Sequence, residues 1–480
     1  MSANILPDDI LRGIFAFCLS SYRCPFNCHG YWLPLKHTTE WQRLVHVCQR
    51  WRQIIYGSPR YFDLHLYCSV ETHFRKSLSR WPEFPITIDY IISWEEDNVI
   101  AALEHPDRVH RVNLIISYLD AGERDVLELM EVPFPALTYL NLTGPGEEND
   151  GALDLPDQFL GGSAPCLEHL CLAEISFPAL PKLLLSARGL VTLELENNTA
   201  IGYKYISPAA IVGGLAGLIR LKTLCIKFPF PDPDAELEEG RHSDPPMHAV
   251  LPALTEFVFR GGNEYLEDLM AQIDTPRLEG IEIEYFTPEI EIRQLYQFLG
   301  RIANLEFDLF KRAQVTFDPY DVSIKLELDR PQGEYNQIRF SLTVKTSYHE
   351  NYRVQCIVRV LGQLVAMLSN VDHLSVNHLS VSKQFWRGRD DIMKTLEWLP
   401  LLRLFPAVEV LHVFGRLAGH LATVLEDIAE ERVTEVLPAL HSLWLGDDDG
   451  LVVSTERFLS LRQLSGRPIN VVNTEDKFVE

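Results

Sequence analysis

The sequence predicts an α/β protein: a short N-terminal helical module followed by an irregular solenoid of strand-containing repeats with a curved, mainly parallel sheet. Three observations predict it. The chain has 480 residues, 46% of them hydrophobic, and this length is greater than one compact core usually needs. Two amphipathic helix patterns precede residue 60, and an apolar-x-x-apolar-x-apolar spacing returns ten times from residue 109 onward. We therefore expect a helical module over residues 1–60 and a repeat domain over residues 61–480.

The first helix pattern lies in "NILPDDILRGIFAFCL" near the N-terminus. Pro7 suits the first turn of a helix, and Asp8 and Asp9 place negative charge at the positive end of the helix dipole. The apolar side chains of this stretch are Leu6, Ile10, Leu11, Ile14, Phe15 and Phe17. A helix with so broad an apolar surface must pack against something.

The second helix pattern begins near Thr38 and runs through "WQRLVHVCQRWRQIIYGSP" to a stop at residues 57–59. Its apolar side chains recur every three or four residues, at Trp41, Leu44, Val45, Cys48, Trp51 and Ile55. This spacing predicts one continuous helix with a single buried stripe.

Three submotifs of these helices, "LPDDIL", "IF" and "VCQRWR", stand in the order typical of the F-box, and the chain resembles F-box proteins of mushroom-forming fungi. The resemblance implies docking to a Skp adaptor and, through it, to a cullin-RING ubiquitin ligase. The residues that would carry this docking are Leu6, Pro7, Ile10, Leu11, Ile14, Phe15, Val47, Cys48, Trp51 and Arg52. The connection between Leu19 and Trp41 is longer than in a compact F-box. Periodicity alone fits equally well a two-helix cap on the domain that follows.

The repeated spacing resembles the leucine-rich repeat, in which the last two apolar residues point into the core from a short strand. The ten occurrences begin at Val109, Leu137, Leu167, Leu190, Leu221, Leu254, Leu278, Val371, Val408 and Leu440. Between them, stretches beginning at Pro181, Ser207 and Tyr265 are helix-like. Stacked repeats of this kind would form the solenoid.

Two segments interrupt the repeats. From 313 to 348, alternating apolar and polar residues predict either a hairpin-like insertion with its turn near Pro331 or two degraded repeats. From 228 to 248, the sequence is rich in proline and acid and predicts a loop.

The composition excludes several function classes. A formal net charge of −24 opposes binding to nucleic acid or to anionic membranes, and no apolar run is long enough for a membrane span. Cys18, Cys24, Cys28 and His29 do not repeat as a paired zinc motif, and no nucleophile elbow, phosphate loop or dinucleotide fingerprint is present. We therefore expect no metal, no cofactor, no enzymatic activity and a cytoplasmic or nuclear protein.

Two functions remain open from the sequence. The first is a non-catalytic adaptor that docks to Skp and presents an unidentified protein target on the strand face, for example at Tyr139, Asn141, Glu194 and Glu196. The second is a repeat scaffold unrelated to ubiquitin, in which the N-terminal helices only cap the solenoid.

Overall fold

The computed structural model describes residues 6–20, 40–58, 61–62, 64–70, 73–92, 96–116, 126–145, 153–197, 206–228, 248–285, 293–302, 310–317, 321–328, 339–345, 376–383, 395–414, 417–428, 436–446 and 456–473. The chain divides into two compact units, Met1–Leu190 and Val191–Glu480. Both units are mixed α/β, and each contains a mainly parallel sheet. Within the ranges above, no helix is long and apolar enough to cross a membrane.

The helices described in the first unit are α1 (Asp8–Ser20), α2 (Glu40–Val45), α3 (Gln49–Tyr56), α4 (Phe74–Arg80), α5 (Asp97–Leu103) and α6 (Leu180–Leu184). The strands are β1 (Leu66–Cys68), β2 (Ile86–Ile92), β3 (Val109–Ile116), β4 (Tyr139–Thr143), β5 (Leu153–Asp154), β6 (His169–Ala173) and β7 (Ile175–Ser176). Strands β1, β2, β3, β4 and β6 lie side by side in that order, all parallel. A separate short parallel pair joins β5 and β7.

The helices described in the second unit are α7 (Pro208–Leu215), α8 (Asn263–Gln272), α9 (Arg293–Arg301), α10 (Thr395–Arg403), α11 (Leu417–Ile428) and α12 (Glu456–Leu464). Its first strands are β8 (Thr192–Glu196), β9 (Thr223–Lys227), β10 (Ala249–Val250), β11 (Glu256–Gly261), β12 (Ile273–Asp274) and β13 (Gly280–Tyr285). The others are β14 (Phe310–Phe317), β15 (Asp321–Leu328), β16 (Arg339–Lys345), β17 (His378–Lys383), β18 (Val410–Phe414), β19 (Ser442–Gly446) and β20 (Asn470–Asn473).

The sheet of the second unit is parallel except for one insertion. Strands β8, β9, β11 and β13 are parallel neighbours, and so are β17, β18, β19 and β20. Between the two sets, β14, β15 and β16 form an antiparallel meander whose outer strands pair in parallel with β17 and β13. The predicted insertion is confirmed as antiparallel, but it has three strands rather than two and begins at Phe310. Its predicted turn near Pro331 lies outside the described residues, as does most of the predicted loop at 228–248.

Strands occur at nine of the ten predicted repeat positions, and the tenth, which begins at Val371, lies mostly outside the described residues. Val376 lies ahead of β17, so Val376, Leu379 and Val381 occupy the three repeat positions there. Val371 and Leu374 are not among the described residues. The predicted helices near residues 181, 207 and 265 are confirmed as α6, α7 and α8.

One face of each strand forms the core because side chains alternate between the two faces of a sheet. In the second unit, Phe257 and Phe259 of β11 are fully buried. Phe259 stacks on Tyr265 of α8 with ring centroids 6.0 Å apart, and Phe257 contacts Phe298 of α9 at 6.5 Å. Helices therefore cover this apolar face of the strands.

Successive helices of the second unit are joined by carboxylate caps. The carboxylate of Glu267 on α8 accepts hydrogen bonds from the backbone N–H groups of Gln294 and Leu295, which open α9. Glu426 on α11 accepts the corresponding bonds from Arg457 and Phe458 at the start of α12. Each glutamate supplies an acceptor for N–H groups that have no partner within their own helix.

Candidate partner-binding site

Helix α1 begins directly after Pro7, whose carbonyl oxygen accepts the first helical hydrogen bond from the Leu11 N–H at 3.0 Å. One side of the helix is buried: Leu11 is 2% exposed and Phe15 is 1% exposed. The Phe15 ring packs 4.6 Å from the Trp51 ring of α3 and 6.4 Å from the ring of Phe62. This side holds α1 in the first unit.

The other side of α1 is an apolar stripe in contact with solvent. Leu6 is 38% exposed, Ile10 48% and Ile14 43%. Ile10 and Ile14 are four residues apart, so their side chains lie in one line along the helix, and Leu6 lies just before its start. Phe17 continues the stripe and is 76% exposed. A single α-helix therefore presents an apolar line on one side while a neighbouring side is anchored in the core.

The predicted second helix is broken in two, so the expectation of one continuous helix is wrong. Helix α2 ends at Val45, and Cys48 adopts an extended conformation before α3 begins. The Arg52 Nε donates a hydrogen bond to the carbonyl oxygen of Val45 at 3.1 Å. This bond gives a partner to a carbonyl that a continuous helix would have satisfied internally, and Val47, in the break, is 58% exposed.

Arg50 ties α3 to the start of α1. Its guanidinium donates from Nε and Nη2 to Oδ1 of Asp8, at 2.9 and 2.6 Å, and also from Nη2 to the carbonyl oxygen of Leu6. These bonds connect the start of the apolar stripe to α3, which begins two residues after the exposed Val47. Sequence reasoning did not include Arg50 among the docking residues.

The helices also pack against the segment that follows them. Trp41 of α2 is buried, with its ring 5.1 Å from the ring of Trp81 and 5.4 Å from that of Phe84. Tyr56 of α3 contacts Phe84 at 5.5 Å, and burial raises the pKa of its hydroxyl although Arg52 and Arg80 lower it. The three helices are thus part of the core of the first unit.

The structure divides the predicted docking residues into two groups. The buried or half-buried group is Leu11, Phe15, Cys48 and Trp51, and the exposed group is Leu6, Pro7, Ile10, Ile14, Val47 and Arg52. Cys18 is exposed, and Cys24, Cys28 and His29 lie outside the described residues. In the part of the chain that the structure describes, no group of three or more His, Cys, Asp or Glu side chains could hold a metal ion.

Two of the predicted target contacts lie on the open face of the first unit's sheet. Asn141 is only 8% exposed because it belongs to a hydrogen-bonded row across three strands. Its Nδ2 donates to Oδ1 of Asn113 at 2.8 Å, and the Asn113 Nδ2 donates to Oδ1 of Asp89 at 2.7 Å. Tyr139 is half-buried under the guanidinium of Arg111, 5.0 Å from its ring. Asn141 is therefore used internally and is a poor candidate for a target contact.

The other two predicted contacts, Glu194 and Glu196, lie on β8 of the second unit and are half-buried. Glu196 forms an ion pair with Lys227 of β9, with Nζ and Oε2 3.1 Å apart.

Comparison with known proteins gives no family assignment. No protein-family model matches the chain, and no curated protein matches it significantly.

Proposed function

We propose that this chain is a non-catalytic substrate-recognition adaptor of an SCF-type, cullin-RING ubiquitin ligase, acting in the cytoplasm or nucleus. The N-terminal helices act as an F-box that docks to a Skp adaptor, and the strand repeats act as an irregular leucine-rich-repeat solenoid that presents a protein target. The ubiquitin-transfer chemistry belongs to other subunits, and this chain supplies proximity and orientation.

The observation that carries the proposal is the exposed apolar stripe formed by Ile10 and Ile14 on α1 and by Leu6 just before it. A helix that only capped the following domain would turn its largest apolar side chains inward. Here Leu11 and Phe15 do so, while a second apolar line remains accessible. Exposed apolar lines of this kind are typical of a helix that docks into an apolar groove of a partner.

The experiment is calorimetric titration of the full chain with a Skp adaptor. The test variant carries Ile10→Asp and Ile14→Asp, and the control carries Ile219→Asp, which replaces an isoleucine 62% exposed in the second unit. We expect submicromolar binding by the wild type and the control. The double variant should bind more than about tenfold more weakly, because anchor residues at the centre of an interface dominate its affinity.

Because both isoleucines are already exposed, the double variant should keep the wild-type melting temperature. Absence of binding by the folded wild-type chain would contradict the proposal, and so would equal binding by the double variant.

One observation favours the second candidate, a repeat scaffold whose helices serve only as a cap. The contacts of Trp41 with Trp81 and Phe84 bury α2 against the segment that follows the helices. In that case the chain does not bind a Skp adaptor, and Trp41→Ala lowers the melting temperature because it removes the contacts with Trp81 and Phe84. Loss of adaptor binding in the Ile10→Asp, Ile14→Asp variant, at an unchanged melting temperature, excludes the cap as the sole role.

A further inference from the structure

Leu6 differs from the other residues of the apolar stripe because it lies outside α1. The first backbone hydrogen bond of the helix joins the Leu11 N–H to the carbonyl oxygen of Pro7, so the helical bonding begins after Leu6. Ile10 and Ile14 lie within α1, where the repeating hydrogen bonds of the helix fix the backbone. The position of Leu6 therefore depends on contacts from outside the helix.

Arg50 supplies such a contact. Its Nη2 donates a hydrogen bond to the carbonyl oxygen of Leu6, and its Nε and Nη2 donate to Oδ1 of Asp8 at 2.9 and 2.6 Å. Asp8 is the first residue of α1. One guanidinium thus bonds both to the helix and to the residue that precedes it. Because a guanidinium presents its N–H donors in a rigid fork, these bonds hold the two acceptors in a fixed geometry.

The Arg50 side chain extends from a helix that is anchored in the core. Ile54 and Ile55 of α3 are buried, and the ring of Trp51 packs 4.6 Å from the ring of Phe15. These contacts bury one side of α3 in the first unit. Arg50 therefore connects a firmly packed helix with the first residue of the exposed stripe.

A Leu6 that is held in place favours docking. A residue whose backbone becomes ordered only on binding loses conformational entropy at that step, and this loss weakens the affinity. A contact that orders the residue beforehand removes the loss. Leu6 meets both conditions, because its side chain is partly exposed to a partner and its carbonyl oxygen is bonded to Arg50.

We propose that Arg50 is a positioning residue for adaptor docking. It orders Leu6 before binding, and it acts through Leu6 rather than through a contact of its own with the adaptor. The inference rests on the proposed docking function, which it deepens by adding a residue that lies outside the predicted docking set.

The first measurement uses the free full chain and needs no adaptor. Arg50→Gln and Asp8→Asn should each accelerate backbone hydrogen exchange at the Leu11 N–H by about threefold, because the start of α1 then opens more often. Arg75→Gln, the control, removes an exposed arginine of α4 and should leave this exchange unchanged. Equal exchange rates in the wild type and in Arg50→Gln would overturn the inference.

The second measurement is calorimetric titration with the Skp adaptor, arranged as a double-variant cycle. Arg50→Gln should weaken binding about fivefold, and the Arg75→Gln control should bind as the wild type does. Leu6→Ala should weaken binding about tenfold. Adding Arg50→Gln to Leu6→Ala should weaken binding by less than about twofold more, because the side chain that the guanidinium positions is then absent. An equal effect of Arg50→Gln in both backgrounds would indicate a direct contact with the adaptor and overturn the inference.

The two measurements separate the inference from the proposed function. Unchanged affinity of Arg50→Gln, in a chain whose wild type binds the adaptor, contradicts only the inference. Absence of binding by the folded wild-type chain contradicts the proposed function, and the docking role of Arg50 falls with it. Because Arg50 and Asp8 are partly exposed, the loss of their ion pair costs little stability, and unfolding curves should show every variant folded at the temperature of the titration.

Discussion

Arg50 and Asp8 join the two N-terminal submotifs of this chain: the guanidinium of α3 donates twice to a single carboxylate oxygen in the first turn of α1, at 2.9 and 2.6 Å. The same guanidinium also donates to the carbonyl oxygen of Leu6. Both side chains are partly exposed, so solvent weakens the electrostatic attraction. The contacts of Arg50 with Asp8 and Leu6 fix the beginning of α1, where the apolar stripe starts.

The first prediction concerns this pair. Arg50→Gln and Asp8→Asn should each lower the free energy of unfolding by at most about 1 kcal/mol, as is usual for exposed ion pairs. Because each substitution removes the same interaction, the double variant should lose little more than the worse single variant. Urea unfolding of the four proteins measures the coupling, and simple addition of the two single losses would show that the pair contributes nothing.

The second prediction concerns the two sides of α1. Phe15→Ala should lower the free energy of unfolding by about 3–5 kcal/mol, because it empties space beside Trp51 and Phe62 in a packed core. Phe17→Ala, the matched control on the exposed side, should change it by no more than about 0.5 kcal/mol. Urea or thermal unfolding measures both. Similar losses in the two variants would mean that both sides of the helix are buried, which would remove the basis for a docking surface.

The sequence could predict where α1 is apolar but not which of its apolar residues are buried. Ile10, Leu11, Ile14 and Phe15 are all large and apolar, and helical spacing arranges them in two adjacent lines. Which line faces the core depends on Trp51 and the residues after the helices, whose positions are tertiary information. The break at Cys48 was missed for a related reason: apolar spacing alone does not reveal that Arg52 satisfies the Val45 carbonyl.

Strands were predicted best where the repeat spacing is regular. Strand β2 escaped detection because Pro85 stands at the leading position relative to Ile88 and Tyr90. In addition, Ile86 pairs with Val109 and Thr87 with Arg111, so β3 has one additional residue, His110, at this point. Periodicity counts residues and cannot anticipate such a bulge.

The repeat before β17 shows a different limit. Val371, Leu374 and Val376 have the same spacing as Val376, Leu379 and Val381, so the pattern fits two frames five residues apart. The pairing of His378 with Val410 and of Leu379 with Leu411 shows that the second frame forms a strand, and this pairing depends on residues more than thirty positions away.

The last prediction concerns the pH dependence of stability and arises from Asp89 on the open face of the first unit's sheet. Burial raises the pKa of this carboxyl, and the hydrogen bond from Asn113, which lowers it, only partly compensates. The folded state therefore holds this proton more tightly than the unfolded state does. As pH rises from the ordinary aspartate value of about 3.9 through the raised folded value, this carboxyl makes folding progressively less favourable.

Asp89→Asn removes the ionisation but keeps an Oδ1 that can accept the Asn113 hydrogen bond. The variant should therefore be more stable than the wild type at pH 7, and the difference should shrink as pH falls toward about 4, where the wild-type carboxyl is increasingly protonated in both states. Urea unfolding midpoints at the two pH values measure this difference. Asp157→Asn, at an exposed carboxylate, controls for the loss of one negative charge. A gain that stays the same at both pH values would show that it arises from packing rather than from the buried charge.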